Sequence, residues 1–471
     1  MNSSKILGFA VGPISAAILG FISIPMVAWT FSPEDVGRLN VFQVTISFAL
    51  LLFVLGLDQA YVREYNETED RVGLLRNCVG PGLVLLVIAL AVTLPFAVKI
   101  SELLYGQSSP WPYVLTASAF SLTFFSRFLS LILRVQERGL AYSMGQLLPK
   151  VFQLLFVAIL FFQDFDKEFI HLLVLTVASF SVVLVVYGWN TRHQWIAALY
   201  KSGDAEHRKK IMKFGFPLIF SGMIYWGLIA TSNLAIRTLS DFSELATYSV
   251  GTSFASVMVV FQSIFTVIWA PTVYKWVANG VDMSVIDVVC QKALAVACAL
   301  VACVGAFAWV SDILLPEHYS GVKFILLCCC MQPVLYTLSE ITCVGIAISR
   351  RTTLTIWVTL VALVVNVIFS FILVPTYGAR GAAVANTLAF LVFFVGRTEV
   401  SSRVWRRFPR GKLYLTVVIL VTISVASALQ TTIDYAYFGF FWALIVPVSA
   451  LMFVSQWKEL YSSFLGVWRS R

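Results

Sequence analysis

The sequence has few charged residues and few long polar segments. Only 12% of its 471 residues are Asp, Glu, Lys or Arg, and 59% are hydrophobic, whereas soluble domains carry about 25% charged residues. This composition excludes a soluble globular protein and leaves no room for a sizeable soluble domain. The apolar runs are continuous, unlike barrel strands, in which apolar residues alternate over about 10 positions. We therefore predict an integral membrane protein built from helices.

The sequence also lacks the common motifs of catalysis and metal binding. It contains no GxxxxGK[ST], HExxH or GxSxG segment, which argues against nucleotide hydrolysis, zinc proteases and serine hydrolases. Its eight cysteines form no CxxC pair and lie in or beside apolar runs, as is typical of small buried hydrophobic residues. All predicted outer loops are short, which argues against polymerases and ligases that use a large outer loop. We predict no enzyme activity, no catalytic residues, no metal site and no cofactor.

The apolar runs predict an all-α polytopic protein with fourteen transmembrane helices, since about 20 apolar residues cross a bilayer. The first run follows Lys5 and is too long for the core of a cleaved signal peptide, so we expect a retained helix. The predicted spans are residues 6–31, 40–61, 79–98, 112–133, 141–162, 170–189, 214–236, 247–273, 293–314, 322–349, 353–375, 380–400, 413–433 and 436–456.

The basic residues predict the orientation. With the N-terminus in the cytoplasm, the inner segments hold 25 of the 33 Lys and Arg residues and the outer segments hold 6, as the positive-inside rule requires. We therefore predict a multi-pass membrane protein with both termini cytoplasmic. The net charge of +9 reflects topology and not a nucleic-acid partner.

A long polar break at 190–213 divides the first twelve spans into two sets of six. We predict an N-terminal lobe at 1–189, a cytoplasmic interlobe linker at 190–213, a C-terminal lobe at 214–400, and a basic loop, two additional helices and a cytoplasmic tail at 401–471. In the linker, Trp195, Ile196, Leu199 and Tyr200 are predicted to share one face of a helix lying flat on the inner surface.

The two lobes carry signs of an internal repeat. Each begins with a helix interrupted by proline near its start, at Pro13 and Pro217, and one alignment places Arg138 opposite Arg351. Because six spans separate equivalent helices, both halves run in the same direction through the membrane. We expect pseudo-symmetry about an axis normal to the membrane.

A few ionisable residues lie inside predicted spans, where each costs about 2.5 to 3.5 kcal/mol and is a functional candidate by default. Arg127, Lys150 and Glu340, together with Asp58, are all expected in the inner half of the membrane. One interpretation is that Arg127 or Lys150 pairs with Asp58 and fixes helix packing. The other is that Arg127 and Lys150 bind an anionic headgroup in a wet cavity, while the two acids balance them or carry a coupling cation.

Other polar residues extend this set of candidates. Gln59, Arg63 and Tyr65 follow Asp58 closely, where an uncharged helix reaches the aqueous side. Uncharged polar residues recur in the spans of both halves, among them Asn233 and Gln332. A single such residue usually joins two helices, but so many suit a cavity that accepts sugars.

Three motifs resemble those of Wzx-type polysaccharide flippases. They are GLDQAYVREYNE at 56–67, FSPEDVGRLNVFQ at 31–43 and YGARGAAVANTL at 377–388. These flippases belong to the polysaccharide transporter branch of a superfamily that also contains multidrug exporters and lipid II flippases.

This resemblance implies two six-helix lobes arranged as a V around a central cavity. The cavity would pass the head of an undecaprenyl-diphosphate-linked oligosaccharide outward while its tail stays among the membrane lipids, with Arg127 and Lys150 holding the diphosphate. The resemblance also implies location in the bacterial inner membrane and a role in O-antigen, capsule or exopolysaccharide assembly, with a polysaccharide polymerase and a chain-length regulator as candidate partners. The last two helices resemble those of lipid II flippases, which form a groove for the lipid tail. Transport could be coupled to H⁺ or Na⁺. The alternative functions are a multidrug exporter and a membrane scaffold for glycosyltransferases.

Overall fold

A computed structural model describes residues 3–162, 167–201, 203–407 and 409–430, and in addition Trp442, Val454 and Gln456. Every regular element in these parts of the chain is helical. Two short 3₁₀ helices occur, at Leu94–Phe96 and Glu317–Tyr319. The α-helices are α1 (Ser3–Thr30), α2 (Pro33–Val54), α3 (Leu57–Glu64), α4 (Arg71–Thr93), α5 (Ala97–Tyr105), α6 (Trp111–Val135), α7 (Gly139–Phe161), α8 (Phe169–Asn190), α9 (Arg192–Tyr200), α10 (Ala205–Leu239), α11 (Phe242–Phe254), α12 (Ser256–Ala278), α13 (Ser284–Phe307), α14 (Val310–Leu314), α15 (Val322–Ile348), α16 (Thr353–Val404) and α17 (Gly411–Leu429).

The protein is a multi-pass membrane protein by the length and composition of its helices. In the described residues, 11 helices are long and apolar enough to cross a bilayer. The predicted all-helical membrane fold is confirmed, but the predicted count of fourteen spans is not. The predicted span at 436–456 lies outside the described residues apart from Trp442, Val454 and Gln456.

The longest helix, α16, contains two of the predicted spans. A straight helix of 52 residues would extend about 78 Å at 1.5 Å per residue, more than twice the bilayer core of about 30 Å. The chain instead reverses at Gly378, which has φ 53° and ψ −127°. A Cβ atom on Gly381 would lie 2.4 Å from the carbonyl oxygen of Leu373, and one on Gly396 would lie 2.7 Å from Val358. These contacts pair the two halves of α16 as an antiparallel hairpin.

The chain forms two compact units, residues 1–226 and 227–471. The boundary lies inside α10 and not in the linker at 190–213, because a continuous helix carries the chain from the linker into the membrane. The linker itself belongs to the first unit. Its helix α9 differs from the prediction at Trp195, whose indole donates to the Gly188 carbonyl at 2.9 Å and is half-buried. Trp195 therefore faces the protein and does not share the exposed face of α9.

Different helices form the core of each unit. In the first unit, the inward face of α6 supplies Phe124 and Phe128, both in the core cluster. In the second unit, α15 is the central helix, with 20 of its 27 residues buried. Trp442 is fully buried and lies against Gly305 of α13. A helix this deeply buried can carry polar residues only where they are hydrogen-bonded.

The predicted repeat is visible in the helix boundaries. Helix α6 ends at Val135 and α15 ends at Ile348. Two residues after each end, Glu137 and Arg350 adopt left-handed conformations, with φ 57° and φ 56°. The same sequence separation relates Arg138 to Arg351. A positive φ is uncommon for such residues, so its recurrence supports the alignment of the two halves.

Candidate functional site

Arg127 and Glu340 occupy equivalent places in the two repeats. Each lies eight residues before the end of its helix, α6 or α15, about 12 Å along the axis at 1.5 Å per residue. The repeat alignment that places Arg138 opposite Arg351 also places Arg127 opposite Glu340. One repeat thus carries a cation and the other an anion at equivalent positions of equivalent helices.

Asp58 reaches Arg127 because the second membrane helix is broken. Helix α2 ends at Val54, and the next two residues, Leu55 and Gly56, have φ 56° and φ 67°. The position of Gly56 requires glycine, since a Cβ there would lie 2.4 Å from the Gly215 carbonyl oxygen. Helix α3 therefore starts anew, and Asp58 stands in its first turn, where the helix dipole stabilises a carboxylate.

The Arg127 guanidinium donates twice to a single carboxylate oxygen of Asp58. Nη2 lies 2.5 Å and Nε 3.2 Å from Oδ2. The other oxygen, Oδ1, accepts the backbone N–H of Gln59 at 2.9 Å. The Arg127 side chain is 34% exposed and that of Asp58 is 11% exposed. The cation is therefore the more exposed partner of this pair, whereas its anion is largely enclosed by the protein.

The other candidates near Asp58 have separate contacts. The Gln59 side chain also donates to Asp58 Oδ2, at 3.3 Å. Arg63 lies over the ring of Phe214, 4.4 Å from its centroid. Tyr65 is buried, and its ring lies 4.7 Å from the Arg71 guanidinium. Gln59 therefore belongs with the Arg127 and Asp58 pair, while Arg63 and Tyr65 lie toward the end of α3.

Lys150 stands apart from this pair. It lies in the middle of α7, directly after Pro149, and is half-buried. Within the described parts of the chain it forms no ion pair with Asp58 or with any other acid. Of the two cations considered as partners of Asp58, Arg127 forms the ion pair and Lys150 does not.

Glu340 forms a second, more enclosed pair with Arg397 of α16. Nη1 of Arg397 lies 2.8 Å from Glu340 Oε1 and donates to the Ser339 hydroxyl at 2.9 Å. The two side chains are 10% and 15% exposed. The Phe393 and Tyr336 rings lie 4.9 and 5.5 Å from the guanidinium. This enclosure favours a packing role for the pair.

A polar seam joins α15 to α16 beyond this pair. Asn386 donates to the Gln332 side chain at 2.8 Å. The hydroxyls of Thr342 and Thr398 lie 2.7 Å apart. Gln332 is thus bound to a neighbouring helix. Asn233 lies half-buried in α10.

The sequence pattern did not single out Arg397 as a candidate site residue. It lies inside the predicted span 380–400, but its place near the inner end grouped it with the basic residues of the cytoplasmic loop. In the structure, the residue as a whole is only 9% exposed. Its position inside a predicted span was the available signal. Among the described residues, no group of three or more His, Cys, Asp or Glu side chains could hold a metal ion.

Comparison with known families decides the relationship. The family described as "Polysaccharide biosynthesis protein" matches residues 5–276, more than half of the chain. The chain belongs to this family. No curated protein sequence matches it significantly. The family match confirms the predicted relationship to proteins of polysaccharide biosynthesis.

Solved structures confirm the fold. A structure titled as the lipid II flippase MurJ in an inward closed conformation has a TM-score of 0.68 at 14% identity, covering 97% of this chain and 99% of that one. An inward-facing multidrug resistance MATE family transporter has a TM-score of 0.57 at 18% identity, covering 84% and 98%. A Vibrio cholerae MATE transporter has a TM-score of 0.56 at 15% identity, covering 85% and 96%. This member of the polysaccharide biosynthesis family therefore has the fold of MurJ and the MATE transporters.

Proposed function

We propose that the protein is a flippase that moves an undecaprenyl-diphosphate-linked oligosaccharide from the inner to the outer leaflet of the bacterial inner membrane. It works by alternating access of a cationic cavity and serves O-antigen, capsule or exopolysaccharide assembly. Membrane lipids surround the polyprenyl tail during transfer. A polysaccharide polymerase and a chain-length regulator are the partners that would use the product.

This proposal rests on the exposure and pairing of two cations in the first unit, Arg127 and Lys150. Arg127 is one-third exposed despite its ion pair, and Lys150 has no acidic partner among the described residues although it lies in an apolar helix. A cation in a membrane helix is costly unless it is paired or hydrated. A diphosphate offers several acceptor oxygens to such groups, and an arginine can bind two of them at once.

The acid of the first pair supports a place for a coupling ion. When a diphosphate takes the Arg127 guanidinium, Asp58 loses its partner and can accept H⁺ or Na⁺. An inside-negative potential also favours outward movement of an anion, by about 2.3 kcal/mol per charge per 100 mV. Glu340 is less suited to carry an ion because Arg397 and two aromatic rings enclose it.

The test replaces each cation by alanine. Arg127→Ala and Lys150→Ala should stop polysaccharide export and cause lipid-linked repeat units to accumulate on the cytoplasmic side, while the protein still inserts. Arg134→Ala is the matched control, since Arg134 lies on the same helix at its inner end and is exposed. Normal export by both cavity variants would refute the proposal and favour a scaffold for glycosyltransferases.

A multidrug exporter coupled to a cation is the second candidate, because MATE transporters share the fold. That function calls for an acidic site that selects cationic drugs, whereas the more exposed partner of the Arg127 and Asp58 pair is the cation. Drug susceptibility distinguishes the two. If Asp58→Asn cells became sensitive to cationic drugs while export stayed normal, the exporter would be favoured.

A further inference from the structure

The linker helix α9 exposes an apolar face that the fold does not cover. Ile196, Leu199 and Tyr200 are 41%, 65% and 87% exposed, and they follow one another at helical spacing. Trp189, in the last turn of α8, is 69% exposed. We call Ile196, Leu199 and Tyr200 the apolar face of α9, and Trp189 lies beside it. Large exposed apolar groups beside a membrane span suit the interface, where aromatic residues are favoured.

Contacts at both ends fix the depth of α9. Its first residue follows the end of α8 by two positions, so this end lies where a membrane helix stops. At the other end, Arg76 near the start of α4 donates to the carbonyls of Ala198 and Leu199 at 3.0 and 2.8 Å. Both anchors belong to the ends of membrane helices on the same side. Helix α9 therefore lies across these ends, in the plane of the membrane surface.

Cations follow the apolar face directly. The start of α10 carries Arg208, Lys209 and Lys213, all exposed and without a side-chain partner among the described residues. We call these three the basic start of α10. Lys201, at the end of α9, pairs with Asp70 before α4 at 3.1 Å, and Lys210, near the start of α10, pairs with Glu64 at the end of α3 at 3.9 Å. Apolar and basic groups thus share one rim of the first unit.

We infer that this rim binds anionic phospholipid headgroups of the inner leaflet, with the apolar face of α9 inserted beside them. The charge of the segment matches this ligand, since residues 190–213 contain six Lys or Arg against two acids. Each Lys or Arg near an anionic surface strengthens association by about fivefold. Apolar insertion supplies the remaining affinity, as in other interfacial helices. The site is separate from Arg127 and Lys150 and does not depend on the transported molecule.

The test uses the full-length protein in lipid nanodiscs of phosphatidylcholine, with and without phosphatidylglycerol. Hydrogen–deuterium exchange of the α9 amides reports on its docking, because a helix of nine residues is unstable unless it is held by other contacts. We expect slower α9 exchange when phosphatidylglycerol is present. The triple variant Arg208→Gln, Lys209→Gln and Lys213→Gln should lose this difference, since three lost cations weaken association about a hundredfold.

The matched control is the variant Lys275→Gln, Arg350→Gln and Arg351→Gln, which removes three exposed inner-side cations of the second unit. It should keep the effect of phosphatidylglycerol on α9. Equally slow exchange in both lipid mixtures would overturn the assignment and leave an apolar anchor without headgroup preference. Equally fast exchange in both would overturn it in favour of a protein partner. Because export is not the readout, failure here is distinct from failure of the proposed flippase.

Discussion

The enclosed pair of Arg397 and Glu340 gives a stability prediction that can be worked from the structure. Replacing Arg397 by Met keeps much of the side-chain volume but leaves the Glu340 carboxylate without its cation at 15% exposure. Removing one partner of a buried pair costs about 3 to 5 kcal/mol, because an uncompensated charge remains. For a unit of this size, that free energy corresponds to a fall in Tm of roughly 10 °C.

The assay compares the thermal unfolding of the detergent-solubilised wild type, Arg397→Met and a double variant. Glu340→Gln in the Arg397→Met background removes the stranded charge, so the double variant should recover most of the lost Tm. Arg351→Met is the control, since Arg351 is exposed and should change Tm little. If Arg397→Met matched this control, or if the double variant were no more stable than Arg397→Met, the pair would not be enclosed as the structure indicates.

Three other changes have defined outcomes. Asp58→Asn should impair export, whether Asp58 balances Arg127 or carries a cation; unchanged export would leave it a packing residue. A backbone N–H at the start of α4 and the Lys201 ammonium hold the pKa of Asp70 below its usual range, so its stabilising effect is present above the unfolded pKa and lost as pH falls through the lower folded pKa. Thermal unfolding monitored by circular dichroism should therefore show a slightly lower Tm for Asp70→Asn near neutral pH and a smaller difference from the wild type at low pH, and the effect should be small because Asp70 is exposed. Gly378→Ala should lower Tm, since φ is 53° and a Cβ would lie 2.4 Å from a carboxylate oxygen of Glu244, whereas Gly411→Ala meets no neighbour and should leave Tm nearly unchanged.

The sequence predicted the elements whose signal is local. Continuous apolar runs identified most membrane helices, because a segment in lipid must satisfy its own backbone hydrogen bonds and must be apolar over its whole length. Turn chemistry was less visible. The break after α2 depends on Leu55 adopting a left-handed conformation beside Gly56, and hydrophobicity does not distinguish that break from a continuous span.

The candidate site was predictable in part for the same reason. Arg127, Lys150, Glu340 and Asp58 could be singled out by their cost in an apolar segment, which is a property of each residue and its neighbours in sequence. The pairing was not predictable. Arg397 lies so near the end of its span that its guanidinium could equally have reached water.

The sequence by itself thus determined the membrane class, the helical fold and the repeat, because these follow from hydrophobicity and spacing along one chain. Only the tertiary structure decided that Arg127 pairs with Asp58 and keeps one-third of its side chain exposed, that Glu340 pairs with Arg397 and is enclosed, and that Lys150 pairs with neither acid. Those outcomes depend on which helix faces meet, and residues 69 positions apart, such as Asp58 and Arg127, are brought together by packing and not by any local pattern.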